Sequence, residues 1–173
     1  MHTEIEKRWK KLEESKRMME ETIAETSFDA HLQLNDSWSI AQVVEHLLSS
    51  EGGTLGYMKK KSSGGWDALE DAAAEHHEKS SAINARLESG ERYKAPDVLP
   101  EPGNSTSLED LLNSWNLLRA ELRQFLLTID YRNFNKLVFR QPAAGMLTIL
   151  HTLEFMDAHL RHHVPQIKRI QQV

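Results

Sequence analysis

Four long segments of the chain repeat apolar residues at intervals of three and four positions, and this periodicity limits the possible folds more than any other feature of the sequence. It predicts amphipathic helices over residues 3–26, 40–60 and 107–130, and a fourth from about residue 146 to near the C-terminus. Each helix carries an apolar stripe that a stable fold must cover with another helix. The sequence therefore predicts an all-α fold, a four-helix bundle.

The starts of the second and third predicted helices carry capping signals. Ser39 followed by Gln42 matches a capping box, and Ser107 with Asp110 resembles a variant of that motif. These pairs predict that the two helices begin immediately after Ser39 and Ser107.

The segments between the predicted helices are less regular. Residues 66–89 have helical propensity but no consistent apolar face, and residues 93–107 are Pro-rich and extended. We predict a long crossover between helices two and three. Residues 131–145, which contain Pro142 and Gly145, predict a further connection before the last helix.

Composition limits the function classes. A length of 173 residues predicts one domain over residues 1–173. Lys and Arg are scattered among acids at a net charge of −5, which argues against a nucleic-acid partner. There is no apolar stretch of about 20 residues, so we expect no membrane partner. The charged start is unlike a signal peptide, and we expect a cytoplasmic location.

The chain contains no cysteine, so a metal ion would have to be held by imidazole and oxygen ligands. His159 and His163 are four residues apart on the last predicted helix, a spacing at which two imidazoles can share one ion. Helical periodicity places His163 on the buried face and His159 at its edge, and turns His151 and His162 toward solvent. The alternative is a polar edge of the bundle, with imidazoles satisfied by water or a backbone carbonyl.

A third ligand has to come from another helix. His46 lies at the margin of the buried face of helix two, where it is either a ligand in a cleft or a partly exposed histidine between helices. The other histidines lie near helix ends or in the crossover, and we expect them to face solvent: His2, His31, His76 and His77.

Three further side chains are candidates for catalysis: Glu51, Tyr57 and Gln166. Glu51 points near the buried face and is either a water-positioning carboxylate or a glutamate that extends its charge to solvent. Gln166 shares the histidine stripe and either orients a bound water or hydrogen-bonds across the helix seam. Pro165 leaves the Arg161 carbonyl unpaired and bends the helix beside His163.

Three pieces of the sequence, in order, resemble the DinB/YfiT-like family of metal-dependent four-helix-bundle proteins. They are "WSIAQVVEHLLSSE" at 38–51, "YKAPDVLPEPGNSTSLEDLLNSWNLLRAEL" at 93–122 and "PAAGMLTILHTLEFMDAHLRHHVPQI" at 142–167. The histidine in the first piece and the HxxxHxxQ pattern in the third carry most of the specificity.

The resemblance implies a metal site formed by His46, His159 and His163, with zinc or nickel as the divalent ion and open coordination positions for water or substrate. It also implies a thiol S-transferase, in which a small thiol such as bacillithiol or mycothiol attacks an electrophile, or a related hydrolase. The opposed expectation is a non-catalytic, stress-associated bundle that binds a metal or small ligand. The resemblance further implies a homodimer.

Overall fold

The computed structural model describes residues 1–26, 29–33, 37–90 and 100–170. It is a helical bundle with one small antiparallel hairpin, which confirms the predicted all-α class. The helices are α1 (Thr3–Ala24), α2 (Ile40–Ser62), α3 (Ala74–Glu88), α4 (Leu108–Leu127) and α5 (Ile149–Ile170), and the strands are β1 (Leu137–Gln141) and β2 (Gly145–Thr148).

The predicted helix starts are confirmed, with one difference in chemistry. At α2 the Gln42 N–H donates to Ser39 Oγ (3.1 Å) and the Ser39 N–H donates to Gln42 Oε1 (3.0 Å), a complete capping box. At α4 the Asp110 N–H donates to Ser107 Oγ (3.1 Å), whose hydroxyl donates to the Asp110 carboxylate (2.6 Å). The shorter aspartate side chain bonds the hydroxyl, so this cap is not reciprocal.

The predicted crossover contains a fifth helix that the sequence reading did not identify. Helix α3 packs against α5, but Ser80 and Leu87 are its only buried residues. An apolar stripe is therefore missing, which is why periodicity alone does not reveal the helix. Within the predicted extended connection, residues 93–99 lie outside the described residues. Residues 100–107 lie beside α2, where the Gly103 N–H donates to Glu45 (3.0 Å).

The prediction of a simple connection before the last helix is wrong in part, because this segment contains β1 and the start of β2. β1 and β2 are antiparallel, with Leu137 opposite Thr148 and Gln141 opposite Gly145. Gly145 has a φ of 77°, a left-handed conformation that suits glycine. Since residues 145–148 pair with β1, helix α5 begins at Ile149 and not near Met146.

Helix α5 is the centre of the packing. It contacts α1, α2, α3 and both strands, while α2 also contacts α4 and β1. One continuous cluster of buried apolar side chains draws members from all five helices and the hairpin. None of the described helices combines the length and apolar character needed to cross a membrane. The contact between α2 and α5 brings together the histidines of both helices.

Candidate metal centre

Three imidazoles from two helices meet where α2 packs against α5. His159 Nε2 lies 3.3 Å from His46 Nε2 and 3.2 Å from His163 Nε2. One nitrogen of each ring can be chosen so that all three lie within 4.8 Å of one another. In the described part of the chain, no other three histidine or acidic side chains converge in this way. The structure thus brings together the three histidines singled out in the sequence.

The two helices place these side chains differently. His159 and His163 stand one turn apart on α5, and α2 supplies His46 from across the interface. His46 is 4% exposed and His163 7%, whereas His159 is half-buried. His46 is more enclosed than its marginal position on α2 predicts, because the rings of Trp38, His159 and His163 pack against it.

A hydrogen bond donated to Gln166 defines which ring nitrogen of His163 carries the hydrogen. Gln166 Oε1 lies 2.8 Å from His163 Nδ1, and a carbonyl oxygen only accepts, so Nδ1 carries the hydrogen. In the neutral ring, the lone pair is then on Nε2, which faces the other two imidazoles. The sequence predicts that Gln166 orients a bound water or hydrogen-bonds across the helix seam, but in the structure its partner is His163 on the same helix, α5. This is the arrangement that orients a metal-binding histidine.

The surroundings favour neutral imidazoles. Burial, followed by the charge of His162, lowers the pKa of His46 from 6.5 to about 4. Burial and then His46 lower the pKa of His163 to about 3, and burial together with the neighbouring histidines holds the pKa of His159 well below 6.5. Neutral imidazole is the form that binds a metal ion. A metal cation among the three rings would contact three nitrogen lone pairs at once. A single hydrogen shared between the rings can bridge only two of these nitrogen atoms.

Aromatic rings flank the triad, one from the segment just before α2 and one from α5. The Trp38 ring lies 5.0 Å from that of His46, and Phe155 stacks on His159 with ring centres 5.6 Å apart and planes 9° from parallel. Trp38 and Phe155 thus supply apolar walls beside the imidazoles. The donor set consists of nitrogen atoms only, which suits zinc or nickel better than magnesium or calcium.

Glu51 lies in an ion pair between α2 and α4. Its carboxylate accepts from Arg119 Nε (2.7 Å) and Nη2 (2.7 Å) and from Trp115 Nε1 (2.8 Å), and the residue is 3% exposed. Tyr57 is 37% exposed and sets its ring edge against Phe139. Within the described residues, no hydrogen bond or ring contact links either side chain to the triad.

Four of the six remaining histidines are less exposed than predicted. His2 and His77 are exposed, but His31, His76, His151 and His162 are half-buried. Helix α3 explains two of them: His151 Nε2 lies 3.0 Å from His77 Nδ1, and His162 Nδ1 lies 2.9 Å from the Leu87 carbonyl oxygen. The prediction that His151 and His162 turn well toward solvent is wrong because α3 covers that face of α5. Apolar periodicity predicts no helix over Ala74–Glu88, so this cover has no signal in the sequence.

The fold and the triad together define a helical-bundle protein with a centre of three histidines suited to a divalent metal ion. In a comparison with known families, the sequence model of the DinB superfamily matches residues 11–167. The chain belongs to the DinB superfamily. The match includes His46, His159, His163 and Gln166. Neither the curated proteins nor the solved structures contain a significant match to the chain.

Proposed function

We propose that this protein binds one divalent ion, zinc or nickel, through His46, His159 and His163, and uses it to transfer a small thiol onto an electrophile. The convergence of three Nε2 atoms, with His163 oriented by Gln166, is the observation that carries the proposal. A bound divalent ion would lower the pKa of a thiol or water molecule that coordinates it.

The residues around the triad favour a thiol over water as the nucleophile. The chain has no cysteine, so a thiol nucleophile has to come from a second molecule. The triad is an all-histidine set, and Glu51 is engaged by Arg119 and Trp115, so no described carboxylate is placed there as a base. A thiol ionises at a pKa of about 8.5 and water at about 15.7, so a thiol depends less on a protein base.

The chain's own residues then hold and shield the reactants. Gln166 keeps the hydrogen of His163 on Nδ1, and Trp38 and Phe155 exclude water from two sides of the rings. A cytoplasmic location fits this role, because small thiols are kept reduced there. Hydrolysis is a closely related reaction, and no described carboxylate joins the triad as a base for it.

A non-catalytic metal- or ligand-binding bundle is the second candidate function. The same observation favours it: in the described residues, no carboxylate joins the triad as a general base. The two proposals predict the same metal content and differ in turnover with thiols.

The first test is elemental analysis of untagged protein purified without chelator. We expect near-stoichiometric zinc or nickel in the wild type and its loss in His46→Ala and in His159→Ala. His77→Ala, which removes an exposed histidine, is the matched control and should keep the metal. A wild-type protein that stays metal-free after incubation with zinc or nickel and desalting contradicts the proposal.

The second test separates the two functions. The metal-loaded protein is offered small thiols with chlorodinitrobenzene or monochlorobimane, and thiol consumption is followed. We expect metal-dependent turnover that is lost in His163→Ala and retained in His77→Ala. Retained metal without turnover for any thiol tested would leave the non-catalytic bundle as the function.

A further inference from the structure

Helix α3 packs against α5 through a face that is mostly polar. His77, Ser80, Asn84 and Leu87 follow one another at intervals of three and four residues, which places them on one side of the helix. Leu87 is the only apolar member of this set, and the neighbouring Ile83 is half-buried. Burial of an apolar face supplies most of the stability of a packed helix, so this contribution is small for α3.

The same interface contains buried polar atoms that lack a partner. In the part of the chain that the structure describes, four buried side-chain atoms have no hydrogen-bond partner, and two of them are Ser80 Oγ and Asn84 Oδ1 on α3. A third is Nδ1 of His151, whose ring contacts His77. Docking of α3 takes the Ser80 and Asn84 atoms out of water without replacing their hydrogen bonds, and this desolvation opposes docking.

Polar contacts link the two ends of α3 to α5. Near its start, Nδ1 of the exposed His77 lies 3.0 Å from His151 Nε2. Near its end, Glu88 pairs with Arg161 (2.8 Å), and the two side chains are 47% and 41% exposed. Exposed pairs of this kind contribute little to stability, because water competes for both partners. These contacts therefore hold α3 weakly.

A further contact joins α3 to the metal centre. The Leu87 carbonyl is one of the last four of α3, which have no partner inside the helix, and it accepts from His162 Nδ1 (2.9 Å). The His162 ring packs edge-on against His163, with ring centres 5.1 Å apart and planes at 83°. His162 thus contacts a triad histidine and α3 together. At 100° per residue it lies about 60° around α5 from His159, so α3 borders the triad.

We propose that α3 is a lid that opens as a unit while the rest of the bundle stays folded, and that metal binding holds it closed through His162. Opening returns Ser80 and Asn84 to water and uncovers the side of α5 next to the triad, where reactants enter. An ion on His163 fixes that ring and, through the ring contact, the donor that caps α3. The coupling rests on the proposed metal site, whereas the opening of α3 does not.

Hydrogen exchange of the metal-free protein tests the opening. We expect the amides of α3 to exchange together, at least about 100-fold faster than those of α5. Ser80→Ala removes a buried unpaired hydroxyl and should slow the exchange of α3 about tenfold. Ser81→Ala, the matched control, removes an exposed hydroxyl and should slow it only about twofold, through helix propensity. Equal exchange of α3 and α5, or equal effects of the two variants, would overturn the lid.

Zinc is the probe for the coupling. An ion on the triad opposes global unfolding, but it slows a local opening only if it binds the closed state more tightly than the open state. We expect saturating zinc to slow the exchange of α3 about tenfold in the wild type. His162→Phe keeps a ring against His163 but loses the donor to Leu87, so zinc should no longer slow α3. Arg161→Gln, the control, removes only the exposed ion pair and should keep the effect of zinc.

The outcomes separate this inference from the proposed function. Zinc that binds without slowing the exchange of α3 overturns the coupling alone, and so does an undiminished effect of zinc in His162→Phe. A wild type that binds no zinc overturns the proposed metal site together with the coupling. The exchange of the metal-free protein decides in either case whether α3 opens by itself.

Discussion

The single contact between His163 Nδ1 and Gln166 Oε1 makes a direct prediction about metal affinity. Replacing Gln166 by Leu removes the acceptor that keeps the hydrogen on Nδ1 and the lone pair on Nε2. We expect the affinity for zinc or nickel to fall about 10- to 100-fold, as is typical for residues that orient a metal ligand. Competition with a chromophoric chelator measures this loss.

The conservative variant provides the control. Gln166→Glu retains an oxygen acceptor at the same position, so its affinity should stay close to that of the wild type. Because Gln166 is half-buried, neither change should unfold the bundle. Equal affinity in Gln166→Leu and wild type would mean that the hydrogen bond does not orient the imidazole.

The triad also predicts how the metal-free protein responds to acid. Burial first, and neighbouring histidines second, lower the pKa of His46 to about 4 and that of His163 to about 3, from 6.5 in each case. Between those values and 6.5 the unfolded chain binds protons that the folded chain does not. The free energy of unfolding therefore falls as pH decreases through this window. Above about pH 6.5 the two imidazoles cause no such loss, because they are neutral in the folded and in the unfolded chain.

Chemical denaturation of chelator-treated protein at a series of pH values tests this expectation. Carboxylates titrate near the lower end of the window, so the double variant His46→Asn/His163→Asn is needed as a reference. We expect the stability of the variant to depend less steeply on pH than that of the wild type between about pH 6.5 and 4. Parallel pH profiles would contradict the expectation.

At the level of the elements, Glu51 and Arg119 tie α2 to α4. Both side chains are about 4% exposed, and Arg119 also donates to Glu13 of α1 (2.9 Å). Glu51→Leu leaves the guanidinium buried without its main partner, and we expect a loss of about 3–5 kcal/mol in the free energy of unfolding. The double variant Glu51→Leu/Arg119→Met should lose less, because no unpaired charge remains.

An exposed ion pair between the same helices is the control. Lys59 and Glu121 also link α2 and α4, but their side chains are 42% and 57% exposed. Glu121→Ala should therefore cost no more than about 1 kcal/mol. Glu51→Leu should still bind metal, which would show that Glu51 supports the fold. Loss of metal from folded Glu51→Leu would instead indicate a role at the triad.

The elements that could be predicted from the sequence are those with local signals. The four main helices have an apolar stripe, and α2 and α4 have a capping serine as well. Helix α3 has only Ser80 and Leu87 buried, so its position depends on contacts with α5 that no local pattern encodes. The hairpin has an available signal, in that Leu137, Val138 and Phe139 precede Pro142 and Gly145, a strand followed by turn residues.

The candidate site was predictable to a similar degree. The spacing of His159 and His163 places two imidazoles together on α5 without knowledge of the tertiary structure. The position of His46 opposite them depends on how α2 crosses α5. Helical periodicity places His46 only at the margin of the buried face of α2. Periodicity leaves His46 either a ligand in a cleft or a partly exposed histidine, and the family resemblance is what implies the ligand role. The pairing of Glu51 with Arg119 spans 68 residues of sequence and had no local signal.

For the whole molecule, the resemblance predicts a homodimer. Leu117 on α4 is 73% exposed, more than any other large apolar side chain in the described residues. We expect light scattering at micromolar concentration to give the mass of two chains. Leu117→Lys should shift the mass toward the monomer if α4 lies in the contact. A wild type that is only monomeric would contradict the dimer.

Metal binding also tests the prediction that residues 1–173 form a single domain. His46 and His159 are 113 residues apart in the chain, so an ion held by both joins distant parts of one continuous core. If residues 1–173 are one domain, unfolding is a single transition, and a ligand that binds only the folded state stabilises all of it. At about 100 times its dissociation constant, zinc or nickel should add about 2.7 kcal/mol, which for a chain of this length raises the Tm by about 5–10 °C. Calorimetry of wild type and His163→Ala measures this shift, which should be absent in the variant. Two separate transitions, of which the metal moves only one, would contradict the single domain and leave the triad in one of two folding units.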